Sequence, residues 1–94
     1  MGVNIKDVVF VDIRDTWENR MKKLDNSILI PFNKIPYDLN NTLKNKNAPL
    51  VLFCSTGIRC KVAKDYMQDN GYNNIIAIGS VDDALKIKNN LVSI

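Results

Sequence analysis

The segment Cys54-Ser55-Thr56-Gly57-Ile58-Arg59 holds the residue types whose spacing could do chemistry. It follows the apolar run Leu50-Val51-Leu52-Phe53 and precedes a helical pattern, so one cysteine stands at the carboxyl end of a buried strand. A short loop there can turn its backbone N–H groups inward before the helix begins, and such an arrangement favours negative charge. Only a thiolate attacks or leaves well, and amide donors, a helix N-terminus and a nearby cation all stabilise it. Gly57 permits a positive φ that closes the backbone around the sulfur, while Arg59 supplies a permanent charge. The competing account of Cys54 is a buried free cysteine ending a core strand. The chain has no histidine, so no imidazole can serve as general base. Activation of Cys54 then has to be electrostatic.

Alternating strands and helices must position that loop. Apolar runs at Val8 to Ile13, Ile28 to Ile30, Leu50 to Phe53 and Ile75 to Ile78 are short and continuous, as strands covered on both faces are. Between them, Trp17, Met21 and Leu24 share one helical face, with Asp15 and Glu18 placed to form a capping box. Ile35, Leu39 and Leu43 repeat at helical spacing, and Pro36 suits a first turn. After the loop, Val62, Ala63, Tyr66 and Met67 form the expected inner stripe, and Asn70-Gly71 supplies the stop. Ser80 with Asp83 opens a last helix whose expected inner face is Val81, Ala84 and Leu85. The order predicts an α/β fold: a largely parallel central sheet of four to five strands flanked by helices on both faces. In such sheets ligands bind beyond the carboxyl ends of the strands, where Cys54 falls.

These stretches together resemble the rhodanese family of sulfurtransferases. Val9 to Glu18 looks like the family's early strand with its Asp-x-Arg-x-x-x-Glu signature, carried here by Asp12, Arg14 and Glu18. Ser27-Ile28-Leu29-Ile30-Pro31 is similar to its Ala-x-x-Ile-Pro stretch, and Ile76-Ala77-Ile78-Gly79-Ser80 to its strand ending in Gly-Gly. The family's Gly-His-Ile-x-Gly-Ala stretch falls on Lys22 to Ser27, Ser80 replaces the second glycine, and Ala84 stands where a tryptophan is often found. The resemblance implies one rhodanese-like domain over 1–94, with Cys54 as the persulfide carrier and Ser55, Thr56, Gly57, Ile58 and Arg59 as its substrate-binding loop. Arg59 would steady the loop and hold an anionic donor, or else serve a salt bridge within the fold. Asp12 and Arg14 are read as structural, and a structural role for Glu18 is preferred to a catalytic one.

Loop length separates the reactions. Phosphatases that look like rhodaneses use C-x5-R to surround a tetrahedral oxyanion, whereas four residues separate Cys54 from Arg59. The smaller cradle suits the single extra sulfur of a persulfide. Expected donors are thiosulfate, polysulfide or a protein persulfide, and expected acceptors are a thiol or cyanide. Cys60 is a possible auxiliary residue, so a Cys54/Cys60 dithiol redox protein is one alternative and a non-catalytic rhodanese-like binding module another.

The chain has 94 residues and a net charge of +3 from scattered lysines, with no basic block and no interleaved aromatics, so nucleic-acid binding is not expected. Two cysteines six positions apart do not make a disulfide framework or a zinc site. No cofactor or metal is expected. No apolar run is long enough to cross a bilayer and the start lacks a signal peptide's apolar stretch, so a cytoplasmic monomer without membrane contact is expected.

Overall fold

The computed structural model describes residues 7–55 and 57–90. Within them four strands, Val9–Asp12 (β1), Ile28–Leu29 (β2), Leu50–Phe53 (β3) and Ile75–Ile78 (β4), form one sheet in the order β2-β1-β3-β4. Each neighbouring pair is parallel, with Val11 opposite Leu52 and Leu52 opposite Ala77 at the centre. Helices Thr16–Met21 (α1), Ile35–Thr42 (α2), Ile58–Asp69 (α3) and Val81–Asn90 (α4) alternate with the strands, and a 3-10 turn at Phe32–Lys34 leads into α2. The sheet is therefore wholly parallel and, at four strands, at the lower end of the expected number.

Side-chain alternation along β3 divides the core into two layers. Leu50, Leu52 and Cys54 face Ile35 and Leu39 of α2 and Cys60, Ala63 and Met67 of α3. Val51 and Phe53 face the other way, toward Leu24 and Ala84 of α4. All four β3 residues are buried, which is why this segment reads as an unbroken apolar run. Ladder bonds continue past β1, where the Ile13 N–H donates to the Phe53 carbonyl at 3.1 Å and the Ile30 N–H to the Asp12 carbonyl at 2.9 Å. The turn after β1 is thereby fixed beside the end of β3.

Three helical faces differ from the expectation. In α1, Trp17 is 64% exposed and Met21 80%, while Leu24 is buried beyond the helix end. This six-residue helix buries no side chain at all. Its Asp15/Glu18 capping box is present, and polar contacts in place of an apolar stripe dock it. In α3 the inner stripe is Cys60, Ala63 and Met67, whereas Val62 and Tyr66 are largely outside. The helix starts at Gly57, and positions 60, 63 and 67 are those that share the sheet-facing side from that start. In α4, Ala84 is buried with Val81 and Ile87 packed alongside, and Leu85 is exposed. Pro36 lies in the first turn of α2, and Gly71 adopts φ +94° after the end of α3, as the sequence predicts.

Candidate active site

Cys54 is the first residue past β3 and is 1% exposed. Its Sγ accepts a hydrogen bond from the Gly57 N–H at 3.0 Å. That geometry depends on Gly57, which caps α3 with φ +86° and ψ −22°. A Cβ at this position would meet only the Gly79 Cα at 3.7 Å, so backbone conformation and not space reserves it for glycine. The loop amide nearest the helix thus points at the sulfur.

The other loop residues divide. Ser55 is exposed, Ile58 is 74% exposed, and Thr56 lies outside the described residues. Arg59 is also exposed and its guanidinium sits 5.8 Å from the centroid of the Phe32 ring. Among the described residues it makes no salt bridge, so a cation–π contact takes the place of the ion pair considered for it. Phe32 also borders an apolar groove of about 240 Å3 between α2 and α3, lined by Pro36, Val62 and Tyr66 among others.

Cys60 occupies the inner face of α3 at 0% exposure, in the same core layer as Cys54. Both are free thiols. Burial pushes the Cys60 thiol well above its ordinary range, and the contact with the Cys54 sulfur adds to this, followed by the charges of Cys54 and Asp12. The fold therefore brings together two sulfurs that sequence spacing alone leaves apart, and it holds Cys60 protonated.

A buried ion pair lies at the end of β1, beside Phe53. The Arg14 Nε and backbone N–H donate to Asp12 Oδ1 at 3.0 and 2.9 Å, and an Arg14 terminal nitrogen donates to Asp12 Oδ2 at 2.8 Å. Asn19 Nδ2 donates to the same Oδ2 at 3.0 Å, and Arg14 donates onward to the Lys22 carbonyl at 2.5 Å. Asp12 is 0% exposed and Arg14 6%. The hydrogen bonds to Asp12 raise the Arg14 pKa further, against the opposing effect of burial. The guanidinium lies 5.9 Å from the Phe53 ring centroid, next to Cys54 in the chain. This network ties α1 to the end of the sheet.

From sequence, a structural capping role for Glu18 is preferred to a catalytic one. In the structure Glu18 Oε1 accepts from the Asp15 N–H at 3.3 Å, and Oε2 accepts from Ser55 Oγ at 3.1 Å. A carboxylate therefore stands on the rim of the Cys54 loop. The two residues are 37 positions apart, so no local pattern could join them. Among the described residues no group of three or more His, Cys, Asp and Glu side chains could hold a metal ion, and no helix is long and apolar enough to cross a membrane.

Solved structures with the same architecture include a rhodanese from E. coli determined with anions, at TM-score 0.74 and 20% identity over 81% of this chain and 89% of that one. A single-domain sulfurtransferase of Saccharomyces cerevisiae superposes at TM-score 0.69 and 24% identity, over 90% of this chain and 80% of that one. Among curated sequences, a tRNA uridine(34) hydroxylase of Erwinia tasmaniensis is 33% identical over 76 residues, covering 77% of this chain and 22% of the relative. Its counterpart in Yersinia enterocolitica is 31% identical over 88 residues, covering 87% of this chain and 25% of the relative. The chain thus spans about a quarter of the length of these curated relatives. The family model for the rhodanese-like domain matches residues 2–82, and with the parallel sheet and the cysteine loop at its carboxyl end, this chain belongs to the rhodanese-like domain family.

Proposed function

We propose that the protein is a sulfurtransferase that carries a sulfane sulfur as a persulfide on Cys54. The Cys54 thiolate attacks the outer sulfur of a donor; the bond from that sulfur to the rest of the donor breaks, and the remainder leaves with the electron pair. With thiosulfate the products are the Cys54 persulfide anion and sulfite, so charge and atoms balance. A nucleophilic acceptor, cyanide or a thiol, then takes the outer sulfur and returns the thiolate, a ping-pong cycle. The observation that carries this reading is the Gly57 N–H aimed at Cys54 Sγ at 3.0 Å, a preformed donor for negative charge on sulfur. The C-x4-R length, one residue short of the oxyanion-binding loops, supports sulfur over phosphoryl transfer.

Ser55, Gly57 and Ile58 form the approach to the sulfur in this account, and Thr56 completes the loop in sequence. Arg59, stacked on Phe32, holds the α2 side of the approach and presents a positive charge to an anionic donor. Cys60 is a neutral neighbour of the sulfur. A dithiol redox role draws on the contact between the two cysteines, but a thiol held protonated is a poor attacking group. A second reading follows from the relatives named tRNA uridine(34) hydroxylase: the domain would be one part of a tRNA-modifying enzyme. It would predict tRNA binding that weakens steeply with salt.

The test is sulfur transfer from thiosulfate or polysulfide to cyanide by the parent and by Cys54→Ser. The variant replaces the sulfur with a hydroxyl that can accept the same Gly57 N–H, and it should fold normally and transfer nothing. Transfer by the serine variant at the parent rate would exclude the mechanism.

A further inference from the structure

The carboxylate on the rim of the loop has a consequence for which donors the site accepts. Glu18 Oε2 receives the Ser55 hydroxyl at 3.1 Å, and Ser55 adjoins Cys54 in the chain. A donor that reaches the Cys54 sulfur therefore lies roughly 7–12 Å from a negative charge, since a residue step of about 3.8 Å, the Cys54 and Ser55 side chains and one hydrogen bond separate them. The cations nearby do not cancel it. Arg14 lies close enough to Glu18 to feel its charge, yet is committed to Asp12 through two side-chain bonds. Lys22, one residue past α1, is paired with Asp82. Arg59 stands on the Phe32 side of the loop. The approach is thus polarised, acidic toward α1 and basic toward α2.

We propose that Glu18 sets donor specificity by charge, disfavouring a dianion such as thiosulfate relative to singly charged or neutral sulfane-sulfur donors. This rests on the sulfurtransferase reading of Cys54. Each additional negative charge on the donor costs a factor of about two to three over that distance in a water-like dielectric, and salt reduces it. The same charge orients an anionic leaving group toward Arg59.

Glu18→Gln separates charge from structure, because the glutamine oxygen can still accept from the Asp15 N–H in the capping box while its amide nitrogen donates to the Ser55 hydroxyl oxygen. The readout is the rate of Cys54 persulfide formation from thiosulfate, two negative charges, divided by that from methanethiosulfonate, one negative charge. That ratio should rise about two- to threefold in the glutamine variant at low salt. In the parent it should climb toward the variant's value as ionic strength increases. Glu18→Ala should raise it as well while also lowering stability, whereas a purely structural Glu18 would lower stability and leave the ratio alone. Alkylation of Cys54, located by mass spectrometry, gives a measure independent of sulfur transfer. Iodoacetate relative to iodoacetamide also differs by one charge, so that ratio should rise by the same factor of about two to three. If neither donor loads Cys54 but the alkylation ratio shifts, the sulfurtransferase reading fails and the charge effect stands. Unchanged ratios in both measurements would overturn the role given to Glu18.

Discussion

Replacing Asp12 by asparagine should be among the most destabilising single changes in the molecule. The carboxylate is 0% exposed and receives four donors: the Arg14 backbone N–H, two Arg14 side-chain nitrogens and Asn19 Nδ2, all at 2.8–3.0 Å. An asparagine of nearly the same shape removes the charge and turns one acceptor into a donor facing other donors. Arg14, at 6% exposure, is then left as a buried cation without a hydrogen-bonded counter-charge. Breaking a buried pair in this way costs about 3–5 kcal/mol. A domain of this length has about 5–14 kcal/mol in total. The melting temperature should fall by about 12 °C or more, since about 1 kcal/mol shifts it by 4–8 °C at this size. Urea denaturation of parent and variant, with unchanged slope and a lower midpoint, measures the loss. The double variant Asp12→Leu/Arg14→Met removes both charges and should recover most of it. A loss below about 1 kcal/mol in Asp12→Asn would refute the reasoning, because it would mean that Arg14 finds solvent or another partner when Asp12 is neutralised.

The remaining expectations concern the loop and the thiol behind it. Gly57→Ala forces a side chain into φ +86° and should cost about 1–2 kcal/mol; it should also slow persulfide formation, as a thermal melt and a loading time course would show, and equal stability would mean that the loop relaxes out of the left-handed region. Cys60 and Tyr72 both have their pKa values raised by burial. The folded state therefore holds these protons more tightly than the unfolded chain, and the resulting stability is present below about pH 9 and lost as pH rises beyond it. Cys60→Ser should remove the earlier part of that alkaline loss in a pH series of urea midpoints, leaving the Tyr72 part. It should also keep sulfur transfer; a markedly longer-lived Cys54 persulfide in this variant would instead make Cys60 a resolving cysteine.

The sheet was legible because its strands are unbroken apolar runs, although only central β3 is buried along its whole length and Ile76 on edge strand β4 is 51% exposed. Leu50 to Phe53 and Ile75 to Ile78 coincide with β3 and β4, and only the ends of the Val8 to Ile13 run fall outside β1. Helix existence was equally readable, from the capping box at Asp15 and Glu18, Pro36 in the first turn of α2 and Gly71 after α3. Helix orientation was not. Trp17 and Met21 carry the right spacing for a buried stripe, yet α1 is a single short helix anchored through Asn19 and Glu18, and spacing cannot distinguish a stripe that meets a core from one that meets solvent. In α3 the apolar residues Val62 and Tyr66 compete with Cys60 for the inner face. The turn at Gly57 decides in favour of Cys60, and that decision lies in backbone geometry. The loop itself was visible in sequence, but its surroundings were not. Glu18 reaches Ser55 across 37 positions and Arg59 stacks on Phe32, and both contacts exist only once the strands have been placed side by side.

The most direct test of a persulfide on Cys54 is the intact mass of the protein after incubation with thiosulfate or polysulfide and removal of excess donor. The account predicts an added mass of about 32 Da, one sulfur atom, located on the Cys54 peptide, removed by cyanide or a reducing thiol and missing from Cys54→Ser. No adduct with any donor, or an adduct that forms on Cys60 and persists in Cys54→Ser, would contradict it.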